Sequence, residues 1–181
     1  MPKTILITGG AASGKSRWAA TYFEACDYVL YLRTEPTMNP DTMRRIEYSN
    51  SHKNVEWDIL TGVDGGLAEK VADHKFVILD SLYDYTQTVM NRMCPETDEI
   101  DAETKKTVEK QVIDDIIALR NKVIVNEGSM IVITLETGFS VTPENRRLAT
   151  YRQILGSINQ RVANSTDEVY FSASGIQFRI K

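Results

Sequence analysis

Residues Gly9-Gly10-Ala11-Ala12-Ser13-Gly14-Lys15-Ser16 fit the pattern GxxxxGK[ST] in full. Each residue type there suits the capture of a polyphosphate. The glycines let the backbone bend so that its N–H groups point at phosphate oxygens. A helix starting at the end of the loop adds the positive end of its dipole. The spacing gives Lys15 the outer phosphates and gives the Ser16 hydroxyl a magnesium ion. A second acidic position fits the same chemistry. Phe76-Val77-Ile78-Leu79-Asp80 is an apolar run ending in a carboxylate, which suits a magnesium-holding acid at the end of a strand. Its competing reading is an acid that caps a helix starting at Leu82. Together the two motifs predict a nucleoside triphosphate site, with ATP or GTP as substrate and Mg2+ held by Ser16 and Asp80.

Those residues need a scaffold of alternating strands and helices. Thr4 to Thr8 reads as a buried parallel strand and Lys15 to Ala25 as the helix after it. Further strands are expected at Tyr28 to Leu32, Val55 to Leu60, Phe76 to Leu79 and Met130 to Leu135. Helices are expected at Pro40 to Tyr48 with Asn39 as cap, at Asp64 to Ala72, and at Leu82 to Met93. Another starts near Val108, where Val108, Val112, Ile116, Leu119 and Val123 form one helical face, and stops at Gly128. Thr142-Pro143 signals the start of the last helix, with Thr142 as its cap. Glu168 to Ala173, Ser174-Gly175 and Ile176 to Ile180 signal a hairpin. The sum is one α/β domain over residues 1–181: a mostly parallel sheet, helices on both faces, and a C-terminal antiparallel hairpin.

The chain has 181 residues, 42% of them hydrophobic, and a net charge of −4. That is enough apolar material for one sizeable core. No run of Lys and Arg stands out, which argues against a nucleic-acid partner. Cys26 and Cys94 form no metal-binding pattern and read as free thiols. No apolar stretch is long enough to cross a bilayer, so no membrane partner is expected and the reading is cytoplasmic. His74, beside Lys75, reads as solvated, and His52 in a polar stretch reads as a loop residue.

Beyond the phosphate loop, the chain resembles the bifunctional adenosylcobinamide kinase/adenosylcobinamide-phosphate guanylyltransferase family of cobalamin biosynthesis. The shared residues include Ile5 to Arg17, Tyr31-Leu32-Arg33-Thr34, Met43-Arg44-Arg45-Ile46 and Trp57. Near the end they include Thr142 to Arg146, Leu155-Gly156, Ile158 to Ala163 and Asp167-Glu168-Val169. The C-terminal run is more specific than the loop, because other P-loop kinases lack it. The resemblance implies a RecA-like P-loop NTPase fold, a homotrimer, and two activities on a corrinoid small molecule. The first phosphorylates the aminopropanol hydroxyl with ATP or GTP. The second passes GMP from GTP, through a histidine, to that phosphate. Arg33, Thr34 and Glu35 align with the family's nucleotide-contacting stretch, and Glu35 and Glu136 are candidates to orient the attacking hydroxyl.

The chain departs from the family where the second activity resides. The two places usually held by histidines hold Tyr48 and Ser49, at unchanged spacing to Trp57. Thr61, Thr88, Leu135 and Gln153 are further departures. A serine needs an adjacent base to attack a phosphate, whereas an imidazole nitrogen does not. His52 follows Ser49 by three residues, one turn of a continuous helix. The expectation is therefore an intact triphosphate site, with guanylyl transfer lost or rerouted through His52. Two alternatives use the same loop: a kinase for another small alcohol, and a regulator that binds nucleotide without turnover. A regulatory GTPase fits less well, because Asp80 is followed by Ser81-Leu82-Tyr83 and no NKxD element is present.

Overall fold

The strand that delivers the phosphate loop is buried at every position. β1 (Thr4–Gly9) pairs in parallel with β5 (Ser129–Ile133) on one side and with β6 (Glu168–Ala173) on the other. A strand with neighbours on both edges and helices on both faces must be apolar throughout, which is what the Ile5-Leu6-Ile7 run provides. The computed structural model describes residues 2–95, 99–139, 141 and 143–181, and describes Ser49 by its backbone alone. The seven strands run in the order β3-β2-β4-β5-β1-β6-β7. The others are β2 (Val29–Arg33), β3 (Trp57–Leu60), β4 (Phe76–Asp80) and β7 (Ile176–Arg179). Only β7 is antiparallel, pairing with β6 at the sheet edge through a turn in which Ser174 and Gly175 both have positive φ.

Side chains alternate between two cores. Ile5, Ile7, Tyr31, Ile78 and Ile131 face α1 (Lys15–Tyr22) and α2 (Pro40–Lys53). Leu6, Leu30, Leu32, Leu79 and Val132 face α3 (Leu67–Lys70), α4 (Leu82–Met93), α5 (Ala102–Val125) and α6 (Arg146–Ser165). The expected fold class is present. Among the described residues, no helix is long and apolar enough to cross a membrane.

Several boundaries differ from expectation for physical reasons. α2 runs five residues beyond Tyr48 and ends at Asn54 in the left-handed region, while Asn39 caps its start as expected. The stretch from Asp64 forms only one short helix, because Gly66 takes a left-handed φ and the helix cannot begin before it. α5 begins at Ala102, capped by Asp101, so the polar residues before Val108 form its exposed first turns. Gly128 closes the end of α5 by donating its N–H to the Val123 carbonyl at 2.9 Å, while the positive φ there falls on Glu127. Gly128 also lets Lys75 pass, since a Cβ there would lie 2.0 Å from the Lys75 carbonyl oxygen. α6 starts at Arg146, with the Asn145 side chain accepting from the Leu148 N–H. Thr142, expected as the cap, lies outside the described residues. His74 is not solvated. It is buried, with Nδ1 2.8 Å from the Val71 carbonyl, Nε2 2.8 Å from Asp58, and its ring stacked on Tyr28.

Candidate functional site

The C-terminal edge of the sheet gathers the predicted residues. β1 ends in Gly9, β2 in Arg33 and β4 in Asp80, and the β2–β4 register sets Arg33 directly opposite Asp80. The loop after β1 then turns into α1 through Gly14, whose φ of 93° favours glycine. Ala12 also has positive φ. Lys15 folds back over the loop and is 7% exposed. Its ammonium donates to the carbonyls of Gly10 at 2.6 Å and Gly9 at 3.2 Å, with the Ser13 hydroxyl 3.4 Å away. Burial lowers the Lys15 pKa from its ordinary value, and the Asp80 charge partly opposes that shift. Ala11, Ala12, Ser13 and Gly14 form the loop, and Lys15 and Ser16 open α1 directly after it. Of these six residues, all but Ala11 line a cavity of about 470 Å³ that Arg33, Asn39, Asp41 and Thr42 close from the other side.

The loop rests on the far end of the chain. The Ser172 hydroxyl on β6 donates to the Ser13 carbonyl at 2.7 Å, and the Gly175 N–H reaches the same oxygen at 3.1 Å. Gln177 in turn donates to the Ser172 hydroxyl at 3.1 Å. Gly9 lies so close to β6 that a Cβ would sit 2.2 Å from the Ser172 carbonyl oxygen. Nothing in the local sequence signalled Ser172 or Gln177 as supports of this loop.

Asp80 is not a helix cap. Ser81 takes that role, its hydroxyl accepting from the Asp84 N–H. Asp80 is buried, and one carboxylate oxygen accepts from the Tyr31 hydroxyl and from Arg33, both at 2.7 Å. Tyr31 was missed in the sequence. Burial, followed by the Asp80 charge, holds its phenol well above the usual range, so it stays a proton donor to the carboxylate. The Ser16 hydroxyl lies near the same phenol and weakly opposes that shift. Thr34 is buried and braces the end of β4, accepting from the Ser81 N–H at 3.0 Å. Glu35 is exposed and forms an ion pair with Arg33. Glu136 sits on the other side of Gly9. Its N–H donates to the Gly9 carbonyl at 3.0 Å, and its side chain accepts from the Gly138 N–H at 2.7 Å.

His52 lies on the last turn of α2, a helix and not a loop. Its ring stacks on Tyr48 at 3.9 Å, and its Nδ1 is 3.0 Å from the Tyr48 carbonyl. A carbonyl can only accept, so Nδ1 is the donor in that contact. A second cavity of about 590 Å³ joins the first through shared Arg17, Asp41 and Thr42, and ends at Tyr48. His52 is one turn beyond it and lines neither. Lys53 is ion-paired to Glu24 at 2.8 Å, not turned to the loop.

A mostly parallel α/β sheet with this glycine-rich loop between β1 and α1 defines a protein of the P-loop NTPase class. Residues 5–180 match the model of the cobinamide kinase / cobinamide phosphate guanyltransferase family, and the chain belongs to that family. The bifunctional adenosylcobalamin biosynthesis protein CobU of Salmonella typhimurium is 30% identical over 182 residues, covering 98% of this chain and 99% of that protein. The Escherichia coli protein of the same name is 28% identical over 185 residues, with the same coverage. The bifunctional protein CobP of Pseudomonas aeruginosa is 23% identical over 180 residues, covering 97% of this chain and 96% of that one.

Proposed function

We propose that the chain is a cobinamide kinase of cobalamin biosynthesis, a transferase that moves the γ-phosphoryl group of ATP or GTP to the aminopropanol hydroxyl of adenosylcobinamide. The acceptor oxygen forms a new bond to phosphorus, the bond to the bridging oxygen breaks, and the nucleoside diphosphate leaves. The observation that carries this reading is Lys15. Its buried ammonium is held over the carbonyls of Gly9 and Gly10 in an intact loop, where a phosphate would replace them as partner. In a site shielded from water, such a fixed charge stabilises the spreading negative charge of the transition state. Ser16 and Asp80, the latter held by the Tyr31 hydroxyl, present the hard oxygen donors that suit Mg2+. When bound, that ion would neutralise charge on the phosphates. Arg33 holds the same carboxylate oxygen and lines the loop cavity, so it is placed to exchange Asp80 for a phosphate. Of the two acids considered for the attacking hydroxyl, Glu136 is the better placed. It adjoins Gly9, whereas Glu35 is exposed and paired with Arg33.

A second reading concerns guanylyl transfer, and the His52 geometry favours it. With Nδ1 tied to the Tyr48 carbonyl, Nε2 is the nucleophilic nitrogen, on the helix that closes the loop cavity. GMP would pass from GTP to that nitrogen with loss of pyrophosphate, and then to the phosphorylated acceptor. A homotrimer in the cytoplasm completes the proposal, by analogy with the family.

The test is a mass-spectrometric assay with adenosylcobinamide, magnesium, and ATP or GTP. Phosphorylated product that disappears in Lys15→Ala supports the kinase. GDP-linked product that disappears in His52→Ala supports the rerouted transfer, and its absence from the wild type means that this step is lost. Tight nucleotide binding with neither product would overturn the cobinamide assignment in favour of another alcohol or a regulatory role.

A further inference from the structure

A cavity of about 730 Å³ lies on the opposite face of the sheet from α1 and α2, between α6 and the β1–β6 pair. It begins at Glu136, beside Gly9, and runs back along α6 over Leu6 and Val169. Two features of its walls have no use in the fold. The first is Thr8, one residue before the phosphate loop. It is 8% exposed, lines this cavity, and its hydroxyl has no hydrogen-bond partner. A buried hydroxyl without a partner is costly, so folding alone gives no reason for threonine there. The second is Gly156, in the interior of the 20-residue helix α6. Glycine is among the poorest helix formers. Most other glycines of this chain answer a close approach or a positive φ, Gly10 in the phosphate loop and Gly65 being the exceptions. At Gly156 the φ is not positive and an added Cβ would meet nothing within 4 Å. Its effect is to leave room. The cavity-facing residues Ala149, Gln153, Gly156, Gln160 and Ala163 recur at steps of four and three, so they form one stripe with the glycine at its centre.

The lining also indicates what fits. Thr8 both donates and accepts, Gln153 and Gln160 carry amides, and Glu136 accepts. Leu6, Val169, Ala149 and Ala163 supply apolar surface between them. Arg152 is the one cation among the described lining residues and already donates to the Gly138 carbonyl at 2.8 Å, while Glu136 repels anions. A second polyphosphate is therefore a poor occupant. A neutral molecule that carries carboxamides on an apolar frame is a good one, because each amide offers a donor and an acceptor together.

We propose that this cavity docks a carboxamide-bearing edge of the acceptor, cobinamide, with Gly156 leaving the space and the Thr8 hydroxyl receiving an amide at its floor. The proposal rests on the cobinamide reading above. It puts acceptor and triphosphate on opposite faces of the sheet, meeting at the edge where Glu136 adjoins Gly9.

The experiment is equilibrium dialysis of the full chain, saturated with a non-hydrolysable GTP analogue, against dicyanocobinamide. Its cobalt is already ligated on both sides, so a histidine cannot bind it adventitiously. Gly156→Leu fills the open space. It is expected to weaken cobinamide binding by roughly tenfold or more and to leave the analogue's affinity within about twofold. Thr8→Val keeps the shape and removes the hydroxyl. It is expected to weaken cobinamide binding by about three- to tenfold while the Tm of the nucleotide-free protein holds or rises, a combination that a purely structural role for Thr8 does not give. If both variants bind cobinamide as the wild type does, the cavity is not the docking site and the cobinamide reading still stands. If Gly156→Leu alters the oligomer and spares cobinamide binding, the cavity receives a second copy of the chain and the proposal is overturned. If the wild type binds no cobinamide, the functional reading fails and this inference falls with it.

Discussion

The phosphate loop and α2 face each other across one cavity, yet they are held in very different ways. The loop is fixed from beneath. Its carbonyls meet Ser172 and Gly175, its lysine is buried, and Gly9 is pressed against β6. α2 has 14 residues, and among those whose side chains are described only Ile46 is buried. Its His52 and Tyr48 stack on each other in the open. Binding of the triphosphate needs donors that do not move when charge develops, which favours a site built into the core. A helix with one anchor is a low-stability element, the kind that can shift relative to its neighbour. The difference also bears on the missing family histidine. Substitutions on α2 meet little packing resistance, whereas the loop tolerates almost none.

The largest expected effect is chemical. Lys15→Ala should lower the rate of phosphoryl transfer by roughly 10²–10³-fold. Circular dichroism should show the fold retained. A variant that keeps more than a tenth of the wild-type rate would remove Lys15 from the centre of the proposed mechanism.

Next comes the packing beneath the loop. Gly9 has φ +146°, and a Cβ there collides with the Ser172 carbonyl oxygen. Gly9→Ala should therefore destabilise the chain by about 1–3 kcal/mol in urea unfolding and weaken nucleotide binding as well. Ser51→Ala, on exposed α2, should stay within about 0.5 kcal/mol. Equal costs at the two positions would erase the contrast between rigid loop and lightly held helix.

Tyr31→Phe probes what holds Asp80 in place. The hydroxyl is a buried donor to a carboxylate that also holds Arg33. Its loss should cost about 1.5 kcal/mol of stability. It should also shift the magnesium concentration needed for half-maximal turnover, since Asp80 would lose one of the two donors that fix its carboxylate. A change in stability with no change in magnesium dependence would make Tyr31 a structural residue only.

His52→Ala should do least to the fold. Its ring is exposed, and its loss should change stability by less than about 0.5 kcal/mol. Phosphoryl transfer should stay at the wild-type rate, because His52 lines neither cavity. Slowed phosphoryl transfer would mean that α2 carries part of the kinase site, and would weaken the separation of the two regions.

The sequence revealed the parts of this arrangement whose signals are local. The buried run before Gly9, the loop motif, the Asn39 cap, both ends of α4 and the terminal hairpin are written within a few residues of where they act. The supports of the site are not. Ser172 meets Ser13 across 159 positions, Gln177 acts through Ser172, and Tyr31 reaches Asp80 across 49. Those pairings depend on strand order, which no local pattern encodes. His74 was misread for the same reason, since Asp58 and Tyr28, which bury and pair it, lie on other elements. At α6 an Asn three residues after Thr142 supplies the observed cap, so two good capping residues stood close together and local chemistry did not choose between them. On α2, the polar stretch around His52 suggested an end at Tyr48. Yet it continues until Asn54, where an asparagine tolerates left-handed φ.

The smallest predicted effect separates the two regions by pH. Burial lowers the Lys15 pKa below 10.5, its ordinary value, in the folded chain. Between that lowered value and 10.5, the unfolded chain carries a proton on this amine that the folded chain has released. Stability must then rise with pH across that window, and the gain is lost again as pH falls through the lowered value. Lys15→Met should show a flatter slope of unfolding free energy in the alkaline range below pH 10.5. A bound triphosphate brings negative charge to the amine and restores its proton, so saturating nucleotide should flatten the wild-type slope as well. Identical slopes in wild type and Lys15→Met, without nucleotide, would show that the loop holds its lysine no differently from water, and the contrast with α2 would then rest on packing alone.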